Sequence, residues 1–360
     1  MPDTRLTRAR QLVSEQGWAA LLVTPGSDLV HLTGYEAMPL ERLTCLVLPA
    51  RGEPTLIVPR LERPAAEEAP VRLVDYPDGV DFIRVLADTL AVRTGTVGVV
   101  DAMPAAHLVP AQRLLPEVRW EVAGRALAPL RAVKTAAEIA ELTSAGSAID
   151  HVHRRMHQWL RPGRSEAEVA ADIAVAVRDA GHARTDFVIV ASGPNAASPH
   201  HTSGPRVIEP GDAVVVDIGG TMPSGYCSDC TRTYVVGPSA PPGFAEMYAV
   251  LQEAQRAAVA AVRPGVPAEA VDAAARDHIA AHGYGELFVH RTGHGIGLDT
   301  HEEPYIVTGN AEPLVAGTTF SIEPGIYRPG AYGARIEDIV VCTPSGARRL
   351  NTTSTDLVHL

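Results

Sequence analysis

Cysteine is scarce in this chain: Cys45, Cys227, Cys230 and Cys342 are the only four among 360 residues. That excludes the disulfide framework of short secreted domains. Long apolar runs are missing as well, and the N-terminal MPDTRLTRARQLVSEQGWAALLV is charged where a secretory segment would be apolar. Neither a membrane span nor an exported precursor is expected, and the chain reads as cytoplasmic. Positive charge is in deficit, with 31 Lys and Arg against 42 Asp and Glu, a net charge of -11, and the basic residues are scattered. A phosphate backbone is met by clustered cations, so no nucleic acid partner is expected.

Cys227 and Cys230 do form a CxxC, the spacing of a redox pair. The surrounding GYCSDCTRTYVV reads as a strand, however, and strand positions three apart point to opposite faces. Two reduced strand cysteines are expected.

The chain does have the balance of an ordinary globular protein, 46% hydrophobic and 20% charged, and length enough for about two domains of ~150 residues. Residues 1–128 alternate β-rich runs (AALLVT, LTCLVLPA, EPTLIVP, VRLVDY, TVGVVD) with helical stretches such as DFIRVLADTL, which predicts an α/β domain with a mixed sheet. No motif that carries chemistry falls in it. RALAPLRAVKTAAEIAEL then reads as a connection followed by a helix, whose start is marked by Thr135 and Glu138 at capping-box spacing. The second domain is placed at 129–360.

That second part repeats itself. LRPGRSEAEVAADIAVAVRDAGHA, from Leu160, resembles VRPGVPAEAVDAAARDHIAAHGYG, from Val262: Arg-Pro-Gly, a spacer, an Ala-rich amphipathic helix and a glycine near its end. Two similar halves about a pseudo-two-fold axis are expected. Counted from Arg161, Asp217 lies 56 residues on; counted from Arg263, Glu323 lies 60 on. Each is followed by a second acid, Asp229 after 12 residues and Glu337 after 14, and His200 and His301 lie 39 and 38 residues past their marks.

Asp217 closes the apolar run AVVVD, and Asp229 follows a turn containing Pro223 and Gly225, which predicts a hairpin with an acid on each strand. Glu323 in FSIEPGIY and Glu337 in ARIEDIVV repeat the design, so four acids are expected on neighbouring strands. Carboxylates in such apolar sequence are costly to bury without a cation. Arg232 and Arg335 are the nearby cations in sequence and would leave two negative charges over; two divalent metal ions balance four carboxylates better. His294 is the natural nitrogen ligand, with Gly293, Gly295 and Gly297 letting the backbone approach closely and adopt angles that other residues resist. His290 and His294 form an HxxxH, but the glycines and Thr292 oppose the helix of a zincin-type pair, and the Glu of HExxH is missing. His153 and His157 in DHVHRRMHQWL have helical spacing without a third ligand, and are expected to be solvated.

DIGG, SDCTRT, GHGIGLDTHEEP, SIEPGIY and RIEDIVV resemble, in order, the signatures of the pita-bread metallopeptidases (peptidase family M24) that include Xaa-Pro dipeptidase (prolidase), aminopeptidase P and methionine aminopeptidase. The first domain and the Arg131, Lys134, Glu138 junction look like the prolidase and aminopeptidase P branch. The resemblance implies an α+β protein: a C-terminal pita-bread (creatinase/aminopeptidase) fold with an N-terminal α/β creatinase-like domain. It implies that Asp217 binds one metal, that His294 and Glu323 bind the other, and that Asp229 and Glu337 bridge them. An oxygen-rich set with one imidazole suits Mn²⁺, with Co²⁺ and Zn²⁺ as alternatives.

By the same resemblance His200, rather than its neighbour His201, faces the substrate, and His301 stabilises the reacting carbonyl. The resemblance also puts His290 beside a prolyl pocket and Arg335 in support of the site and of the substrate's carboxylate end. Glu323 is expected to move the proton, and because a bond before proline has no N–H to grip, a pocket lined by His290, Tyr327 and Arg335 is expected. The implied substrates are Xaa-Pro dipeptides or short proline-containing peptides, the implied assembly a homodimer. Aminopeptidase P is the nearest alternative. A metal-free or non-catalytic relative is disfavoured because all five ligands are present, and methionine aminopeptidase because those chains lack such a first domain. The Asp217 to Asp229 interval is one residue longer than usual, which the TMPSG turn can absorb.

Overall fold

The computed structural model describes residues 4–360. The chain divides into two compact units between Arg131 and Ala132, each with its own core. No helix among the described residues is long and apolar enough to cross a membrane.

In the first unit the apolar runs become β1 (Ala20–Val23), β2 (Cys45–Pro49), β3 (Thr55–Pro59), β4 (Arg72–Tyr76) and β5 (Gly95–Val99), joined at the edge by β6 (Val118–Val122). The order is β4-β3-β2-β1-β5-β6, with β1 antiparallel to β2 and parallel to β5, the mixed sheet that was expected. Central β1 is buried along its whole length, as a strand covered on both faces must be. β6 escapes a reading by apolar runs because only its first residue is buried. RALAPLRA, expected as part of a connection, lies within the helix Gly124–Ala132 instead, its Ala, Leu and Arg residues outweighing an internal Pro129.

The second unit opens with the helix Ala136–Arg154, capped as its sequence predicts: Thr135 Oγ1 accepts from the Glu138 N–H while Glu138 accepts from the Thr135 N–H. One sheet contains β7 (Arg184–Ser192), β8 (Ala213–Thr221) and β9 (Cys227–Val235). The other builds on β10 (Gly293–Gly295), β11 (Glu302–Ile306) and β12 (Thr319–Ile322). The hairpin β13 (Gly325–Arg328) and β14 (Tyr332–Arg335) follows β12 as a separate two-stranded sheet. β15 (Asp338–Thr343) then pairs with β12 and with β16 (Gly346–Arg349), while β17 (Val358–His359) extends the β7–β9 sheet.

The repeat is visible in the backbone. Helices Glu166–Asp179 and Ala268–Ala281 have 14 residues each, and their starts are tied down in the same way. Gly163, Glu166 and Ala167 donate to the carbonyls of Ile208, Arg206 and Gly204; Gly265, Ala268 and Glu269 donate to those of Leu314, Glu312 and Asn310.

All four cysteines are free and buried, and Cys227 and Cys230 belong to separate apolar clusters on opposite faces of β9. The expectation for His153 fails. The ring is 3% exposed, with Nδ1 against the Tyr234 hydroxyl (2.9 Å) and Nε2 against the Cys230 carbonyl (3.1 Å), and burial pushes its pKa down to about 3. A histidine whose two nitrogens both find partners can be buried neutral, and spacing alone does not reveal the partners. His157 is exposed, as expected.

Candidate active site

β8 and β9 pair without a break, Asp217 opposite Thr231 and Gly219 opposite Asp229. Alternate residues share a face, so Asp217, Asp229 and Thr231 project to one side while Ile218 and Cys230 enter the core on the other. The register runs unbroken from Ala213 opposite Val235 to Thr221 opposite Cys227, leaving 222–226 as the connection. Gly219 makes room on the acid face: a Cβ there would come within 2.5 Å of the Phe187 ring.

The two glutamates are not placed in quite the same way. Glu323 lies one residue past β12 and Glu337 one residue before β15, not inside strands. Pro324 has no N–H for a ladder, so the strand breaks there and the chain turns into the β13–β14 hairpin before Glu337 brings it back. Backbone bonds hold both ends: Glu323 N–H donates to the Thr292 carbonyl (2.8 Å) and Glu337 N–H to that of Thr231 (3.1 Å).

His294 occupies the middle of β10, wedged between β11 and β12. The flanking glycines serve close packing; neither they nor Gly297 have left-handed backbone angles. A Cβ at Gly293 would lie 1.8 Å from the Ser321 carbonyl oxygen, and one at Gly295 would lie 2.3 Å from that of Glu303. The expected unusual angles are thus corrected to a steric cause. The His294 Nδ1–H donates to the Gly295 carbonyl (3.1 Å), which leaves the Nε2 lone pair facing Glu323 (3.3 Å), Asp229 (3.7 Å) and Glu337 (4.0 Å).

That convergence is repulsive as it stands. Arg335 pairs with Asp217 (2.6 Å), but Arg232 pairs instead with Asp338 (2.6 Å), so one arginine, not two, meets the four acids. Burial, then the neighbouring carboxylates, push Asp229 and Glu337 well above the usual carboxylate range. Burial raises Glu323 to about 7 against the opposing pull of Arg335. Burial lowers His294 to about 3, so its imidazole is neutral. Asp217 Oδ1, Asp229 Oδ1 and Glu337 Oε1 are buried without a hydrogen-bond partner among the described residues. Ligand atoms of Asp217, Asp229 and Glu337 lie within 4.8 Å of one another, as do those of His294, Glu323 and Glu337. Orphaned oxygens, a neutral imidazole and unbalanced charge fit divalent cations.

The cluster faces a cavity of about 590 Å³, also lined by His200, His290, His301 and Arg335. His301 is exposed, its ring edge-on to that of His294 at 4.1 Å. His200 is exposed at the cavity, whereas His201 turns away to Glu166 (2.7 Å). Tyr327 links two others, its hydroxyl accepting from Arg335 Nη1 (2.8 Å) and donating to His290 Nε2 (2.8 Å), since His290 Nδ1–H is used on the Arg291 carbonyl. Tyr327→Phe removes both bonds inside a buried network, and a loss of about 1–3 kcal/mol is expected. An unchanged denaturation midpoint would refute it.

Reading the sequence missed Phe187, Ile189, Pro199 and Arg291, which also line the cavity. Phe187 and Ile189 sit in the apolar run FVIVA, where no alternation marks a face. Arg291, a cation inside the histidine and glycine stretch itself, could have been noticed; it stacks on Tyr305 at 4.3 Å.

A single buried cluster of four acids, two from each half of a duplicated α+β unit, with one neutral imidazole, defines a metal-dependent hydrolase. Residues 140–344 match the metallopeptidase family M24, and residues 5–133 match the creatinase/prolidase N-terminal domain. The chain belongs to metallopeptidase family M24, in its pita-bread fold. It is 51% identical to the probable dipeptidase PepE of Mycobacterium tuberculosis, over 98% of this chain and 95% of that one. It is 36% identical to the Xaa-Pro dipeptidase of Lactobacillus helveticus, over 91% of each. The crystal structure of dipeptidase PepE from Mycobacterium ulcerans superposes with a TM-score of 0.94 at 53% identity, covering 99% of this chain and 96% of that one.

Proposed function

We propose that the protein is an Xaa-Pro dipeptidase (prolidase), hydrolysing the bond before proline in dipeptides with two divalent ions, Mn²⁺ foremost, held by Asp217, Asp229, His294, Glu323 and Glu337. The observation that carries the reading is the pair of ligand triads sharing Glu337 at the floor of one cavity. That these relatives are named as dipeptidases supports reading dipeptides, rather than longer peptides, as the substrates.

Bound there, the cations would polarise the scissile carbonyl and acidify water. Glu323 takes the proton of the attacking water and returns it to the leaving prolyl nitrogen. His301, whose pKa is lowered by partial desolvation at the cavity and by nearby Arg291, offers an N–H to the oxyanion. His200 orients the substrate at the rim. A bond before proline has no amide N–H to grip, so recognition must come from a shaped pocket. His290, Tyr327 and Arg335 supply that wall. Arg335 spends four of its N–H donors on Asp217, Thr231, Tyr327 and the Pro199 carbonyl, which leaves one on Nη2 for the substrate's carboxylate.

The test compares Ala-Pro with Ala-Pro-Ala, using Mn²⁺-loaded protein and a chelated control. Cleavage of the dipeptide alone is expected. Preference for the tripeptide would make the protein an aminopeptidase P, and metal-bound protein inactive on both would overturn the substrate assignment.

A further inference from the structure

Glu166, the first residue of its helix, is completely buried yet plays no part in the chemistry above. Its Oε1 accepts from the Ser192 N–H and hydroxyl (2.7 Å each) and from Asn195 (3.0 Å). Its Oε2 accepts from His201 Nε2 (2.7 Å) and the Gly204 N–H (3.3 Å). These contacts bracket the segment that presents His200. Between residues 193 and 207 the only buried apolar side chain is Ala196, so apolar packing cannot fix that segment and hydrogen bonds must.

The other half has a counterpart one turn further along its helix. Asp272, also 0% exposed, accepts from the Thr292 N–H (3.2 Å) and hydroxyl (2.8 Å), from Thr308 (2.9 Å) and from Arg276 (2.8 Å). Arg276 in turn donates to the His290 carbonyl (2.8 Å). The segment held here carries His290 and His294. Each repeated helix thus aims one buried carboxylate at the histidine-bearing backbone of its own half.

We propose that Glu166 and Asp272 are paired positioning residues, Glu166 fixing the loop that presents His200 and Asp272 fixing the segment that presents His290 and His294. The kinetic part rests on the function proposed above; the structural part does not. Removing one anchor loosens its own segment and leaves the other in place. A shift of about 1 Å in a substrate-orienting group costs on the order of 10²-fold in rate.

Two measurements on the full chain test this. In amide hydrogen exchange of Mn²⁺-loaded protein, Glu166→Ala is expected to speed exchange across 192–204 and leave 290–294 protected, with Asp272→Ala giving the reverse. In kinetics on Ala-Pro, Glu166→Ala is expected to lower kcat/KM about 10²-fold with Mn²⁺ content retained. Glu166→Gln keeps one acceptor oxygen and should recover part of that loss, and it carries the comparison if the alanine variant does not fold. Because Glu166 acts through His200, Glu166→Ala should cost almost nothing in a His200→Ala background. Losses that multiply in the double variant, or exchange that rises equally in both segments, would overturn the assignment. Wild-type protein inactive on Ala-Pro would defeat the proposed function instead, and the exchange pattern would still decide whether the anchors exist.

Discussion

Glu323→Ala is expected to abolish turnover of Ala-Pro, with a loss of about 10³-fold or more, because one side chain is assigned both a ligand oxygen and the proton transfer. The surroundings make the variant interpretable. The backbone at 323 is held from outside the side chain, through its N–H to the Thr292 carbonyl, and the break after it is set by Pro324. Ser321 Oγ donates to Glu323 Oε1 (3.2 Å) while accepting the His294 N–H (3.0 Å), so it stays in place through the histidine. Glu323→Gln separates the two duties: it keeps an oxygen for the metal but cannot take a proton. The glutamine variant should bind Mn²⁺ and remain about 10²–10⁴-fold slower than the parent, whereas the alanine variant should lose Mn²⁺ affinity as well. Steady-state kinetics with metal content measured on the same samples decides it. Wild-type rates in either variant would remove Glu323 from the mechanism.

The duplication was legible because it is written at the level that sequence records: an Arg-Pro-Gly mark, a helix, and acids at similar offsets. Helices of equal length with matching backbone ties are what that text becomes. The acids were legible for a similar reason, since a carboxylate inside an apolar run needs an explanation. Other features depend on the partner an atom meets across the fold. Arg232 lies three residues from Asp229 in sequence but gives its charge to Asp338, more than a hundred residues on. His153 looks like a surface helix residue until Tyr234 and the Cys230 carbonyl arrive from β9. Glycines around His294 look like hinges; only the neighbouring strands show that they are clearances.

The symmetry also bears on why both anchors lie outside the chemistry. The metal-ligand candidates come from strands and strand ends, which the sheets hold by their ladders. The histidines that would handle substrate come from connections, where no ladder reaches. A carboxylate on the preceding helix is the nearest rigid group that can collect several N–H donors at once, and being ionised it does so with charge-assisted bonds. Burial alone would raise Glu166, but the bonds from Ser192, His201 and Asn195 hold it below the ordinary carboxylate value. Its charge is therefore retained, and the loop with it.

Removing metal should also have a pH-dependent effect on stability. In the chelated protein Asp229 and Glu337 lie well above the carboxylate range and Glu323 at about 7, each raised first by burial. A carboxyl group whose pKa is higher folded than unfolded stabilises while protonated, and that contribution is lost as pH rises through the folded value. The chelated protein should therefore lose thermal stability as pH rises from about 4.5 to 7 on account of Glu323, and further up on account of Asp229 and Glu337, so that it falls throughout the window from pH 6 to pH 8. Cations compete with protons for the same oxygens, so Mn²⁺ binding should release protons and tighten as pH rises. His294, its pKa lowered by burial to about 3, is neutral across pH 6 to 8 and adds no competing proton in this range. At saturating Mn²⁺ the rise in Tm over the chelated form is expected to be about 5–10 °C at pH 8 and to shrink toward pH 6. Thermal unfolding across that window, with Mn²⁺ or with EDTA, measures it. A chelated Tm that stays level or climbs between pH 6 and pH 8 would mean that the four carboxylates are not crowded in the way their distances imply, and the case for two cations at this site would lose its physical basis.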